Sequence, residues 1–182
     1  MPSPIDTIPQ TTSDFAPFKE LLYALVVVNK FTKVLETGTD VGDSTRIFST
    51  ALQATQGQLV TIDINATVVN GWAKDWPIKN VQFVTGDSRQ LKLTQEIDLL
   101  FLDAHLPGTN GYDQIKAELT TLGGWVRAGG KIVIDDVFHS EFGEGIRKAY
   151  EEFCRANLLA WTVYPHSHGL VVIEVTHPLP HA

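Results

Sequence analysis

Carboxylates stand at the ends of the first five predicted strands, and they are the side chains best placed to do chemistry. A single Asp at such a position is more often a helix cap or a turn residue. Because the carboxyl ends of parallel strands meet along one edge of a sheet, recurrence at every strand favours a shared ligand site. The residues are Glu36, Asp63, Asp87, Asp103 and the pair Asp135 and Asp136.

The segment around the first carboxylate, Lys33–Thr45, reads K-V-L-E-T-G-T-D-V-G-D-S-T. Gly38 and Gly42 permit positive φ values and a close approach of the backbone to a bound molecule. The helix predicted to begin at Asp43 offers free N–H groups to a carboxylate. The acidic residues in the turn oppose a pyrophosphate. A nucleoside with both a carboxylate and a cationic centre fits better, and S-adenosylmethionine (SAM) is such a molecule.

The next two carboxylates fit the rest of a nucleoside. Asp63 stands 25 positions after Gly38, where a carboxylate can accept hydrogen bonds from both ribose hydroxyls. Asp87 is placed for the adenine end, with Ser88 as a neutral partner. The pair Asp87 and Ser88 is equally consistent with the N-cap of a short turn, and this alternative stays open.

The hydrophobic pattern predicts an N-terminal helix from Ser13–Asp14 to about Thr32, and then five strand-then-helix units. Nearly continuous apolar strands imply a parallel sheet covered on both faces. The last two strands are joined by only Pro165–Gly169, which is too short for a parallel crossover, so they form an antiparallel hairpin. The predicted strands are 33–38, 58–64, 81–85, 97–102, 131–134, 159–164 and 170–176, and the helices between them are 43–55, 66–76, 112–125 and 144–157.

Length and composition narrow the classes of protein further. Residues 15–182 form a single domain, and residues 1–14, with three prolines, are expected to be a flexible arm. The net charge of −7 argues against a nucleic-acid partner. No apolar run approaches the roughly 18 residues of a membrane span. A lone Cys154 and the lack of a signal-peptide pattern indicate a cytoplasmic protein.

Taken together, these segments resemble the class I SAM-dependent methyltransferases, over nearly the whole chain from about Lys33 to Val175. Within the class the chain looks most like the small-molecule O-methyltransferase groups, including methyltransferase family 24. The resemblance implies an α/β, three-layer Rossmann-like fold, with a mostly parallel seven-stranded sheet and an antiparallel C-terminal hairpin. It is carried by V-L-E-T-G-T-D-V-G-D-S-T (34–45), V-T-I-D-I (60–64), G-D-S (86–88), L-L-F-L-D-A-H (99–105) and G-G-K-I-V-I-D-D-V (129–137).

The same resemblance implies roles for the residues of the predicted site. Asp63 would hold the ribose, Asp87 and Ser88 would lie beside the adenine, and Asp103 would complete the SAM site. The methionine part of SAM would be held by Glu36, Gly38, Thr39, Gly42 and Ser44.

Methyl transfer to a hydroxyl also needs a group that removes its proton. His105 follows Asp103 by two residues and His139 follows Asp136 by three, which places both near the presumed acceptor. A histidine titrates near neutral pH and suits base catalysis. A loop histidine can equally be a solvated or capping residue. The turn-rich segment His105–Tyr112 is expected to shape the choice of substrate.

The cation-dependent O-methyltransferases of the catechol type suggest a metal site as well. In that family an Asp after the fourth strand and an Asp-Asn pair after the fifth bind magnesium. Asp103, Asp135 and Asp136 match these positions, and their oxygens suit Mg²⁺ or another divalent cation. Leu106 stands where the family has its catalytic lysine, so a histidine or the metal itself would have to activate the hydroxyl.

The sequence therefore predicts a SAM-dependent methyltransferase that acts on a small-molecule acceptor, with a hydroxyl oxygen as the target. The apolar helix over 15–32 suggests either a lid or a homodimer contact. An NAD-type oxidoreductase is the first alternative, although the turn reads G-x-x-x-G rather than G-x-G-x-x-G. A non-catalytic nucleoside-binding member of the fold is the second, because one fold hosts many functions.

Overall fold

A computed structural model describes residues 15–75, 79–105 and 110–181. The predicted arm 1–14, Leu106 and much of the turn-rich segment therefore lie outside the described residues. The strands are β1 (Lys33–Thr37), β2 (Gln58–Asp63), β3 (Val81–Thr85), β4 (Ile97–Leu102), β5 (Val126–Ile134), β6 (Ala160–Tyr164) and β7 (Leu170–Glu174). The helices are α1 (Lys19–Val28), α2 (Asp43–Thr55), α3 (Ala66–Asp75), α4 (Tyr112–Leu122) and α5 (Gly143–Ala156).

The seven strands form one sheet in the order β3-β2-β1-β4-β5-β7-β6. Strands β1 to β5 are parallel, and β7 runs antiparallel to both β5 and β6. The predicted fold class is thus confirmed. The strand order reverses between β1 and β4, and ligands of open α/β sheets bind in the crevice that such a reversal creates.

The hydrophobic core lies on both faces of this sheet, as the apolar strands require. All six residues of β4 are buried, and its side chains alternate between the two faces. Leu100 and Leu102 pack in the cluster that includes residues of α4 and α5. Leu99 and Phe101 pack in the cluster that includes residues of α1 and α2. Both layers hold the strand ends in fixed positions around the site.

The N-terminal helix is shorter than its apolar pattern predicts. A 3₁₀ turn at Ala16–Phe18 precedes α1, which ends at Val28. Lys30 adopts a positive φ of 55°, and this reversal buries Phe31 rather than continuing the helix. The buried side of α1 packs in the same cluster as residues of α2. This packing explains the apolar residues within the chain itself, and the homodimer stays a prediction.

Strand β5 begins five residues earlier than predicted, and α4 ends earlier. A 3₁₀ turn at Gly123–Trp125 follows α4, and Ala128–Gly130, which the sequence suggested as a turn, lies inside β5. The register between β4 and β5 shifts within this stretch. A Cβ on Gly130 would lie 2.6 Å from the Asp98 carbonyl oxygen, so the glycines serve an irregularity in the strand. Within the described ranges, no helix is long and apolar enough to cross a membrane.

Candidate functional site

A cavity of about 530 Å³ opens at the carboxyl ends of the parallel strands, on both sides of the strand-order reversal. It joins residues predicted for the donor with residues predicted for catalysis. The predicted residues among its lining are Gly38, Asp63, Asp87, Ser88, Asp103, His105 and Asp136.

Asp63 ties the glycine turn to the end of β2. Its Oδ2 accepts hydrogen bonds from the backbone N–H groups of Thr39 (2.9 Å) and Asp40 (3.2 Å), and its Oδ1 accepts one from Asn65 (2.8 Å). A carboxylate offers about four acceptor positions, so one position remains for a ligand. The sequence assigned Asp63 to both ribose hydroxyls, and the structure adds that it organises the turn.

The two glycines of the turn are required by neighbouring protein atoms. Gly38 has φ +85°, and a Cβ there would lie 2.5 Å from the Asp103 carbonyl oxygen at the end of β4. Gly42 has φ +73°, and a Cβ there would lie 2.9 Å from Cζ2 of Trp72. The indole Nε1 of Trp72 donates to the Asp40 carbonyl at 2.8 Å. Gly38 lines the cavity, whereas Gly42 makes room for the ring that supports the turn.

Glu36 lies behind the turn rather than on the cavity wall. It is fully buried and accepts hydrogen bonds from Ser44 Oγ (2.5 Å) and Thr45 Oγ1 (2.6 Å) at the start of α2. Burial raises the pKa of Glu36 to about 7, although both hydroxyls favour its charged form. Thr39 pairs in the same way with Thr61, with 2.7 Å between the hydroxyl oxygens. Four of the residues predicted to hold the methionine part of SAM thus lie behind the cavity lining, where their role toward SAM stays a prediction: Glu36, Thr39, Gly42 and Ser44.

Asp87 lines the cavity and also caps the short turn Ser88–Gln90, while its place beside the adenine stays a prediction. Its carboxylate accepts from the backbone N–H of Arg89 at 3.0 Å and from the guanidinium at 2.9 and 2.7 Å. These contacts with Arg89 hold the pKa of Asp87 below its usual range. The aspartate is consequently neutralised by a local partner at the edge of the cavity.

Ser88 leads to two polar residues of α4 that sequence reasoning missed. Its Oγ donates to Oε1 of Glu118 at 2.5 Å, and Nε2 of Gln114 lies 3.5 Å from the same Oγ. Burial raises the pKa of Glu118 to about 7. The available signal was the spacing of Gln114 and Glu118, which places both on one helix face, among the apolar residues that α4 buries.

The two predicted histidines meet at Phe142. The rings of His105 and His139 each stack on Phe142 with centroids 3.8 Å apart, at interplanar angles of 19° and 11°. His168 packs edge-on against His139 at 4.8 Å, and its Nδ1 lies 3.2 Å from Oδ1 of Asp136. His105 and Phe142 line the cavity. Phe142 and His168 were missed, since an apolar residue and a hairpin histidine carry no motif.

The three carboxyl groups predicted to bind a metal influence one another electrostatically, but the described residues do not form a cation site. The pKa of Asp103 is raised well above its usual range by burial, and then by the negative charges of Asp135 and Asp136. Asp136 instead faces His168. Among the residues that the structure describes, no group of three or more His, Cys, Asp or Glu side chains could hold a metal ion. The described arrangement thus does not fit the predicted metal.

Comparisons with known proteins agree with this fold. A family model described as a methyltransferase domain matches residues 35–137, which is more than half of the chain. The chain belongs to this methyltransferase family. The likeness to class I SAM-dependent methyltransferases, predicted from the sequence, is confirmed. A search among curated proteins found no match.

Solved structures of methyltransferases share the fold over nearly the full chain. The SAH-bound methyltransferase PaMTH1 of Podospora anserina has a TM-score of 0.71 at 16% identity, covering 97% of this chain and 89% of that one. An O-methyltransferase from Bacillus cereus in complex with SAH has a TM-score of 0.70 at 21% sequence identity, and the match covers 97% of this chain and 92% of that one. The O-methyltransferase TomG from Streptomyces achromogenes, in complex with SAM, has a TM-score of 0.66 at 20% sequence identity, and the match covers 97% of this chain and 91% of that one. At these identities the likeness concerns the fold.

Proposed function

We propose that this protein is a SAM-dependent methyltransferase that methylates a hydroxyl oxygen of a small molecule. The observation that carries the proposal is a single cavity with two kinds of wall. The donor half contains Gly38, Asp63 and Ser88, and the acceptor half contains His105 and Phe142. Methyl transfer needs both reactants held in one site, in line and close together.

The donor half fits SAM in shape and charge. The glycine turn keeps its backbone at the cavity wall, and Asp63 retains one acceptor position for a ribose hydroxyl. Asp40 and Asp63 both line the cavity, and their carboxyl groups suit a ligand with a sulfonium and an ammonium group. The same groups oppose the pyrophosphate of NAD. SAM, when bound, supplies an electrophilic methyl group.

The acceptor half offers a base from this chain's own residues. Burial lowers the pKa of His105, so its imidazole is neutral at pH 7 and can take the proton of an acceptor hydroxyl. Phe142 holds the His105 ring by stacking, and His139 supports Phe142 from its other face. The described carboxylates do not form a three-ligand cation site, and the proton transfer proposed for this site uses His105.

Calorimetry followed by a transfer assay tests the proposal. SAM and its product S-adenosylhomocysteine (SAH) should each bind with a stoichiometry near one, and NAD should not compete. Labelled methyl from SAM should then appear on a member of a panel of phenols and alcohols. Binding of NAD without SAM would favour the oxidoreductase. SAH binding without transfer to any acceptor would favour a non-catalytic nucleoside-binding protein.

A further inference from the structure

Trp72 joins α3 to the glycine turn and to the first turn of α2. Its indole Nε1 donates a hydrogen bond to the carbonyl oxygen of Asp40 at 2.8 Å. Its ring fills the space beside Gly42, where a Cβ would lie 2.9 Å from Cζ2. The guanidinium carbon of Arg46 lies over the same ring, 4.7 Å from its centroid. The ring is thus held on two sides, and its N–H is directed at one backbone atom of the turn.

The residue that accepts this hydrogen bond has an unusual backbone conformation. Asp40 has φ +36°, a left-handed value that is uncommon for residues other than glycine and persists where surrounding contacts hold it. Its N–H donates to Oδ2 of Asp63 at 3.2 Å, and its carbonyl oxygen accepts from Trp72. Because the backbone conformation sets the direction in which a side chain leaves the chain, these two contacts together orient the Asp40 carboxyl group.

The Asp40 carboxyl group belongs to the donor half of the cavity. Asp40 is exposed and lines the cavity together with Gly38 and Asp63. Burial raises the pKa of Asp103 most strongly, and the negative charge of Asp40 adds to the increase, so the Asp40 carboxyl group lies within electrostatic range of the end of β4. A carboxylate at this place can accept a charge-assisted hydrogen bond from an ammonium group of a ligand.

We propose that Trp72 is a positioning residue, whose indole N–H orients Asp40 so that the donor half selects nucleosides that carry an α-ammonium group over those that lack it. The inference rests on the proposed function, in which SAM and SAH carry this group, and adds the residue that sets the selection. Without the indole hydrogen bond, the Asp40 peptide can leave its left-handed conformation and turn the carboxyl group away from the ligand. The contact with the ammonium group is then lost, whereas the contacts of the nucleoside part are kept.

The test compares SAH with its deamino analogue, in which hydrogen replaces the α-amino group, by calorimetry. The wild-type protein should bind SAH at least ~10-fold more tightly, since a hydrogen bond between charged groups is lost with the analogue. Trp72→Phe keeps an aromatic ring beside Gly42 and removes the N–H donor. Its ratio should narrow to within ~3-fold, while its affinity for the deamino analogue stays within ~3-fold of the wild type.

Trp161→Phe is the matched control. It makes the same change at another partly buried tryptophan, on β6, at the edge of the sheet opposite to β3. Its ratio should equal that of the wild type. A loss of affinity for both ligands by the same factor in Trp72→Phe would overturn the proposal, because it would show that Trp72 only supports the turn.

A second variant keeps the test decisive if Trp72→Phe does not fold. Asp40→Asn removes the charge, and asparagine tolerates the left-handed conformation, so the ratio should narrow in the same way. A wild-type ratio near one, or an unchanged ratio in either folded variant, would overturn the role of Trp72 and leave SAM binding intact. Failure of the wild type to bind either nucleoside would instead overturn the proposed function, and this inference with it.

Discussion

The donor half and the acceptor half of the cavity are built by different interactions. In the donor half, polar side chains are fixed by hydrogen bonds: Asp63 accepts from backbone N–H groups, and the Ser88 hydroxyl donates to the buried carboxyl group of Glu118. In the acceptor half, His105 and His139 are held mainly by stacking on Phe142. Hydrogen bonds fix direction, whereas aromatic stacking tolerates sliding. A site that binds one invariant donor and a chain-specific acceptor is well served by this division.

The largest effect is expected from Gly38→Ala, which disturbs the backbone of the glycine turn in the donor half. The alanine would have to adopt φ +85°, and its Cβ would lie 2.5 Å from the Asp103 carbonyl oxygen. We expect a loss of more than about 3 kcal/mol in the free energy of unfolding and no measurable SAH binding. Gly71→Ala is the matched control, because its Cβ meets nothing within 4 Å. Its free energy of unfolding, measured by chemical denaturation, should rise by about 0.5–1 kcal/mol. Normal stability of Gly38→Ala would refute the packing of the turn.

Glu36 makes the stability of the donor half depend on pH. Its pKa is about 7 in the folded protein against 4.5 ordinarily, so the folded state binds the proton more tightly. The resulting stabilisation is full below pH 4.5 and is lost as the pH rises to 7, by about 3 kcal/mol.

Glu36→Gln should remove this contribution. Urea denaturation of the wild type and the variant between pH 4.5 and 7.5 measures it as the difference between the two curves. The difference between their free energies of unfolding should change by about 3 kcal/mol over that range. The wild type should lose stability relative to the variant as the pH rises. Parallel curves would show that Glu36 is ionised at all these pH values.

Asp63→Ala should weaken SAH binding by about 100-fold, because it removes a ligand contact and releases the N–H groups of Thr39 and Asp40. Calorimetry gives the affinity, and the exposed Asp113→Ala serves as the control. An affinity within about threefold of the wild type would mean that the turn does not depend on Asp63.

His105→Gln should separate the two halves. If His105 is the base, kcat should fall by about 100-fold while the affinity for SAH stays within about threefold. His177→Gln, at an exposed position near the C-terminus, should leave both unchanged. A loss of SAH affinity with unchanged kcat would move His105 to the donor half.

The smallest effect is expected from removal of metal ions. Because the described His, Cys, Asp and Glu residues form no three-ligand group, turnover after dialysis against EDTA should stay within about twofold of the untreated protein. Restoration of a large loss by Mg²⁺ would show that Asp103, Asp135 and Asp136 rearrange into a cation site during turnover.

The sequence predicted the donor half better than the acceptor half, for physical reasons. Strand ends and glycine turns follow from local patterns, so the cavity position and the place of Asp63 in its wall could be anticipated. The support roles of Glu36 and Trp72 could not, because they depend on contacts between elements distant in the chain. The stack formed by His105, Phe142 and His139 joins the end of β4 to the segment before α5. No periodicity in the sequence indicates that these three rings come into contact.

A crystal structure of the protein with SAH would show directly whether one cavity holds both reactants. We expect the adenine beside Asp87 and Ser88, the ribose at Asp63, and the sulfur directed toward His105 in the same cavity. SAH bound outside this cavity, or with its sulfur turned away from the acceptor half, would contradict the proposed site.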